Sequence, residues 1–213
     1  MHRGNVSTGQ ERMSYYVRNR TSLLKDFDKV SKHVRIVLEH EMDASQVNQI
    51  VTESRKEYDR IIPLIPDIGG KKNPFHFNLV GSAWLLALSR TLENRGYELR
   101  EIGRIGYEAM ESYVESMPSI FKFLYRFYVF SRLMKRKMRN AARKSQQREY
   151  PSDWVFEFVE GVDGEFEWGG DFTECAICKF FKEQDAEKFL PYLCLGDYAM
   201  FYSFGVGMKR TKT

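Results

Sequence analysis

The chain has 213 residues, 43% of them apolar and 29% charged, with 15 Gly and 6 Pro. These values exclude a wholly disordered, collagenous or low-complexity chain, and the length suffices to bury a core without disulfides or metals. Lys and Arg exceed Asp and Glu by only +4, too little to imply a nucleic-acid partner, while 15% aromatics supply large side chains for a core or a pocket.

The start, Met1 to Gln10, is polar. It reads as a disordered tail without the apolar stretch of a signal peptide. The longest clean apolar run, Phe77 to Leu88, is broken by Asn78 and Ser82. It falls short of the roughly 20 residues that span a bilayer. Phe189 to Met208 has the length but carries Asp197, and reads as a buried helix. No transmembrane segment is expected. An odd number of cysteines, three, without an export signal points to reduced thiols in a cytoplasm rather than to a disulfide framework.

Residues 11–213 are expected to form a single α+β domain. A helical part covers 11–148, and a hairpin with Cys-bearing helices covers 151–208. From about Glu11 to Met42, Leu23, Leu24, Phe27, Val30, Val34, Val37 and Leu38 recur at helical spacing. Asp43 reads as the N-cap of a second helix, which Pro63 and Pro66 end. A third helix, roughly Asn78 to Asn94, is apolar nearly all round and so central, with Gly96 as its stop. A fourth runs from about Glu98 to Ser116.

The fifth predicted helix, Ser119 to about Gln147, carries a stripe of Phe123, Phe127, Phe130, Met134 and Met138 that reads as core. Residues 119–148 hold ten Lys/Arg and no acid, so the basic charge is concentrated there. A solvated helix end accounts for this run; contact with nucleic acid or an anionic membrane through 132–148 is the weaker reading.

After Pro151 the period changes to two. Trp154, Phe156 and Phe158 form one strand face, Gly161 to Gly164 turns, and Phe166 and Trp168 begin a second strand. Gly169-Gly170-Asp171 then leads to a helix near Thr173 to Lys182, and a last helix begins at Pro191.

All three cysteines lie in the pattern C-x2-C-x15-C-x2-D, formed by Cys175, Cys178, Cys194 and Asp197. If both halves are helical, each pair points from one face. The spacing matches a four-ligand site for zinc or another transition-metal ion, with Asp in place of the last Cys. A functional pocket without a permanent metal, or packing of the thiols as small hydrophobes, are the other readings.

Trp154 to Phe158, the Gly164 turn, Phe166 with Trp168, Asp171-Phe172-Thr173-Glu174-Cys175, Pro191-Tyr192-Leu193-Cys194, Asp197 and the closing Arg210-Thr211-Lys212-Thr213 resemble the L-2-amino-thiazoline-4-carboxylic acid hydrolase family. The resemblance covers about residues 75–213 and is dense from 150 onward. Members of that family continue into a Gly-rich turn and a final strand with another Cys. This chain stops at Thr213, so the expectation is a hairpin with one open edge.

The resemblance implies hydrolysis of a cyclic amidine, opening a thiazoline ring to an N-carbamoyl amino acid. Such a reaction needs an activated water or thiolate and a carboxylate to handle protons. Glu174 or Asp197 is the candidate acid/base, and one of Cys175, Cys178 or Cys194 the candidate nucleophile, given a lowered pKa. Arg210 is the candidate for the substrate carboxylate, and Phe166 and Trp168 for an apolar wall. His76 and Asn78, at the start of the central helix, are substrate-contact candidates; His76 could also be a ligand or a base, though a capping or satisfied loop histidine is the commoner reading, and Asn78 reads equally as a cap. The pocket is expected between the central helix and the C-terminal helix pair. The partner implied is a small-molecule substrate, not a nucleic acid. The alternative is a non-enzymatic metal- or redox-responsive binding module.

Overall fold

The computed structural model describes residues 14–211. The tail expected over Met1 to Gln10 lies outside them, as do Lys212 and Thr213 of the closing motif. The described residues form nine α-helices and one two-stranded antiparallel sheet, a helix-rich α+β fold.

The first predicted helix is two, α1 (Tyr15–Arg18) and α2 (Arg20–Leu38), separated at Asn19. The Asn19 side chain donates to the Tyr15 carbonyl at 2.8 Å, and its non-helical backbone makes the break. Asp43 caps α3 (Ala44–Ile61): its carboxylate accepts from the Ser45 and Gln46 amides, and the Gln46 side chain returns to the Asp43 amide. This reciprocal arrangement satisfies donors that the first turn of a helix leaves unpaired. Helix α4 (His76–Asn94) is the centre of the core, with Leu79, Ala83, Leu86, Ala87 and Leu92 fully buried. Gly96, at φ +87°, turns the chain into α5 (Leu99–Glu115).

The predicted fifth helix is also two, α6 (Ser119–Phe130) and α7 (Arg132–Ser145). Ser131 is extended (ψ 153°), and its hydroxyl accepts from the Met134 amide at 3.1 Å, starting a new helix. The break corrects the reading of the apolar stripe. Met138 is buried, but Phe123, Phe127 and Phe130 are exposed, because α6 no longer shares the inner face of α7.

Strands β1 (Val155–Val162) and β2 (Phe166–Glu174) pair with Val162 opposite Phe166, Phe158 opposite Gly170 and Phe156 opposite Phe172. Val155 then faces Glu174, so Thr173 is an extra residue that bulges β2. The second strand is longer than predicted: Gly169, Gly170 and Asp171 lie within it. The hairpin packs on α7 through Phe156, Met138 and Ala142. Arg139 pairs with Glu160 at 2.6 Å and Lys135 with Glu167 at 3.1 Å, so part of the basic run is neutralised by the hairpin.

Helix α8 (Ala176–Glu183) begins only after Cys175, and α9 (Leu190–Ser203) begins with Pro191 in its first turn. Helix α9 lies along α5, where Gly103 leaves room for the Tyr192 ring; a Cβ at position 103 would overlap it. Among the described residues no helix is long and apolar enough to cross a membrane.

Candidate active site

Cys175 sits at a junction. Strand β2 ends at Glu174, α8 starts at Ala176, and Cys175 is the extended N-cap between them (φ −118°, ψ 120°). The expectation that Cys175 and Cys178 share one helical face is therefore corrected: the first belongs to the cap and only the second to the helix. The anchor of this junction is apolar. Phe180 and Phe181 of α8 are fully buried, and truncating either to Ala would cost about 3–5 kcal/mol.

An N-cap side chain faces the unpaired amides of the first helical turn. Here the facing group is sulfur. The thiol makes no side-chain cap hydrogen bond, but Cys178 foremost, and after it the amides of Cys178 and Ile177 and the Trp154 side chain, favour its charged form. Together they outweigh burial and lower the Cys175 pKa from 9.0 to about 6. Cys178 is pushed the other way, first by its neighbour Cys175 and then by burial. Cys194, on α9, is raised by burial and feels the charges of Arg210, Asp197 and Cys175. Among the three thiols, Cys175 is thus the one whose pKa is shifted down.

Asp197 follows Cys194 by one helical turn. Its carboxylate accepts from Arg210 Nη2 at 2.9 Å. Burial raises its pKa above the ordinary carboxylate value and Arg210 opposes that rise. The Arg210 guanidinium also lies over the Tyr198 ring, 5.8 Å from its centre.

Glu174 is occupied otherwise. It forms ion pairs with Lys179 and Arg148, which hold its carboxyl below the usual range. Lys179 also donates to the carbonyls of Pro151 (2.8 Å) and Asp153 (3.1 Å), tying α8 to the segment before β1.

The remaining candidates fall elsewhere. Trp168 lies seven residues before Cys175 on β2, about 20 Å along the strand. Its indole N–H donates to the Val129 carbonyl at 3.0 Å and its ring stacks on Phe158, so it joins the hairpin to α6. His76 stacks on Tyr16 at 5.8 Å and meets Tyr15 edge-on. Its Nδ1 is buried without a hydrogen bond among the described residues, and burial lowers its pKa, with Lys71 adding to the effect. Asn78 lies one turn after Phe75, whose ring packs on Trp154 at 5.0 Å.

An apolar cleft of about 430 Å³ does open between the central helices and the C-terminal pair. It is lined by Gly103, Gly106, Phe181, Tyr192, Leu193 and Gly196, among others, but by none of the cysteines nor by Asp197. The aromatic wall expected from Phe166 and Trp168 is not part of it.

The four-ligand metal reading of Cys175, Cys178, Cys194 and Asp197 finds no support in this geometry. Among the described residues no group of three or more His, Cys, Asp or Glu side chains is arranged to hold a metal ion. The physical reason is the junction: Cys175 leaves the helical face, and Arg210, not a cation site, faces Asp197.

Sequence reasoning missed Trp154 and Lys179. The antiparallel register is the signal that could have found Trp154, since it sets the start of β1 beside the end of β2.

No curated protein and no solved structure matches the chain. The family model of the L-2-amino-thiazoline-4-carboxylic acid hydrolases does match, over residues 79–213. That span contains the cap cysteine, the α9 carboxylate and its arginine, and it is more than half of the chain. The protein belongs to the L-2-amino-thiazoline-4-carboxylic acid hydrolase family.

Proposed function

We propose that this protein hydrolyses a small cyclic amidine, such as a 2-amino-thiazoline carboxylic acid, with Cys175 as nucleophile. The observation that carries the reading is the position of Cys175 as the N-cap of α8, at the end of β2 and beside Cys178, where its pKa is lowered to about 6. The thiolate adds to the amidine carbon, and the bond from that carbon to the ring sulfur breaks. The departing ring sulfur takes a proton, for which Asp197, with its pKa raised by burial, is the candidate acid. Water then attacks the isothiouronium carbon left on Cys175. The bond to Cys175 breaks, and an N-carbamoyl amino acid leaves. One water is consumed and no electrons are transferred. Arg210 engages Asp197 through Nη2, leaving other guanidinium N–H groups for the substrate carboxylate. Glu174, already paired with two cations, holds the junction instead of moving protons. A thiolate of this kind requires a reducing compartment, and the cytoplasm is the setting this reading calls for.

The test is turnover of 2-amino-thiazoline-4-carboxylic acid, followed by mass spectrometry of the product and of the protein. The expected result is formation of the N-carbamoyl amino acid, a transient mass increase on Cys175, and loss of both in Cys175→Ala. Full turnover by Cys175→Ala would remove it as nucleophile; a folded, fully reduced parent protein without turnover would remove the reaction.

One observation favours a second reading. Two cysteines three residues apart at the start of α8, one with its pKa shifted down and the other up, suit thiol–disulfide exchange. A redox-responsive module would lose two free thiols to oxidised glutathione while keeping its fold and showing no turnover.

A further inference from the structure

We infer that α6 and the start of α7 form a docking surface for an anionic lipid bilayer. Helix α6 is amphipathic in the reverse sense: its inward side is narrow and its outward side is apolar. Val129 is buried, and Tyr125 packs on Phe204 with ring centres 4.3 Å apart. Nearly everything else on the helix that is apolar faces outward. Ile120, Phe123, Leu124 and Phe127 are 64%, 58%, 57% and 62% exposed, and Leu133, just past the break, is 66% exposed. Isolated exposed apolar residues are ordinary, but a contiguous arc of this kind marks an interaction site.

The charge beside the arc names the partner. Arg132, Arg136, Lys137, Arg143 and Lys144 are exposed and have no carboxylate partner among the described residues. No acid occurs between residues 119 and 148. Aromatic and aliphatic side chains on one helix, with Lys and Arg next to them, are what a helix lying in a membrane interface requires. Negative headgroups then complement the cations while the rings enter the acyl boundary. A second copy of this chain fits less well. A two-fold contact sets the same patch against itself, and here it would oppose cations to cations. A nucleic acid would answer the charge but leave Ile120, Leu124 and Leu133 with nothing to bury against.

The experiment uses the full chain and sedimentation with vesicles of phosphatidylcholine alone or containing about one-third phosphatidylserine. The expected result is binding to the anionic vesicles at least about tenfold stronger than to the neutral ones, weakened by salt. Replacing two apolar anchors, Phe123→Ser with Phe127→Ser, should reduce that binding by about tenfold or more, while circular dichroism and the melting temperature show the fold intact. A second variant, Arg136→Glu with Lys137→Glu, should lower binding without touching the apolar arc. Equal binding to both vesicle types overturns the inference, as does anionic binding that neither variant changes. So does a dimer that the Phe123/Phe127 variant converts to monomer with no vesicle binding, since a second copy then covers the face. Binding of duplex DNA without vesicle binding overturns it in favour of a nucleic acid.

Discussion

The ring of Tyr192 on α9 rests on Gly103 of α5, with no space between them for a Cβ. This contact fixes how closely the two helices approach, two residues before Cys194. Gly103→Ala is expected to destabilise the protein by about 1–3 kcal/mol, because the near end of a packed ring has to move. Urea unfolding of the parent and the variant checks this. Turnover should fall with it, since α9 carries Asp197.

The second prediction concerns the pH at which Cys175 becomes reactive. Its folded pKa is about 6 against an ordinary 9.0, so the thiolate predominates above about 6. Alkylation by iodoacetamide, read residue by residue, should rise through a midpoint near that value for Cys175 and at higher pH for Cys178 and Cys194. In Cys178→Ala the main influence that lowers the Cys175 pKa is gone, and the Cys175 midpoint should move up. The sign for stability follows from linkage. A depressed folded pKa gives stability that is fully present above the unfolded value of 9.0 and is lost as pH falls through about 6. A Cys175 midpoint close to 9 would contradict the lowered pKa and, with it, the nucleophile assignment.

Acid sensitivity should also come from His76. Its folded pKa lies below the ordinary 6.5 because burial against Tyr16 disfavours the imidazolium. The unfolded chain therefore binds the proton more readily, and stability is lost as pH falls below 6.5. His76→Phe preserves the stack and removes the titration, so its unfolding free energy should fall less steeply on the acid side. The comparison of chemical denaturation curves at neutral and mildly acidic pH measures this.

The break between α6 and α7 has its own test. Ser131→Ala removes the hydroxyl that accepts from the Met134 amide, and N-cap losses of this kind cost about 1 kcal/mol. A thermal melt lowered by a few degrees is the expected reading. An unchanged melt would show that the extended Ser131 backbone, and not its side chain, makes the break.

Local chemistry made much of the fold legible. Asp43, Gly96 and Pro191 each act through their own few neighbours, and each marks the helix end it was read to mark. The break at Ser131 was not legible, because Phe123, Phe127, Phe130, Met134 and Met138 keep one helical period straight across it. Only the packing of α7 on β1 decides which half of that stripe is covered. The end of β2 was hidden for a related reason. Residues 173–182 carry a helical pattern, but pairing with Val155 draws Glu174 into the strand. Arg210 was found through the family resemblance, and its pairing with Asp197 spans thirteen residues that no local rule connects.

Thr173 has a consequence for how this chain tolerates change. It is the surplus residue of β2, and its hydroxyl donates to the Val155 carbonyl at 3.2 Å. Upstream of it, Phe172 is in phase with Phe156. Downstream, Glu174 and Cys175 follow a different phase. Alternation along a strand is strict, so the bulge works as a half-step inserted between two counts. Substituting Thr173 alters one side chain, but deleting it would shift the count. Either Phe172 keeps its place against Phe156 or Cys175 keeps its place at the start of α8, and not both. The stretch from Phe172 to Cys175 is therefore constrained in length more tightly than in composition.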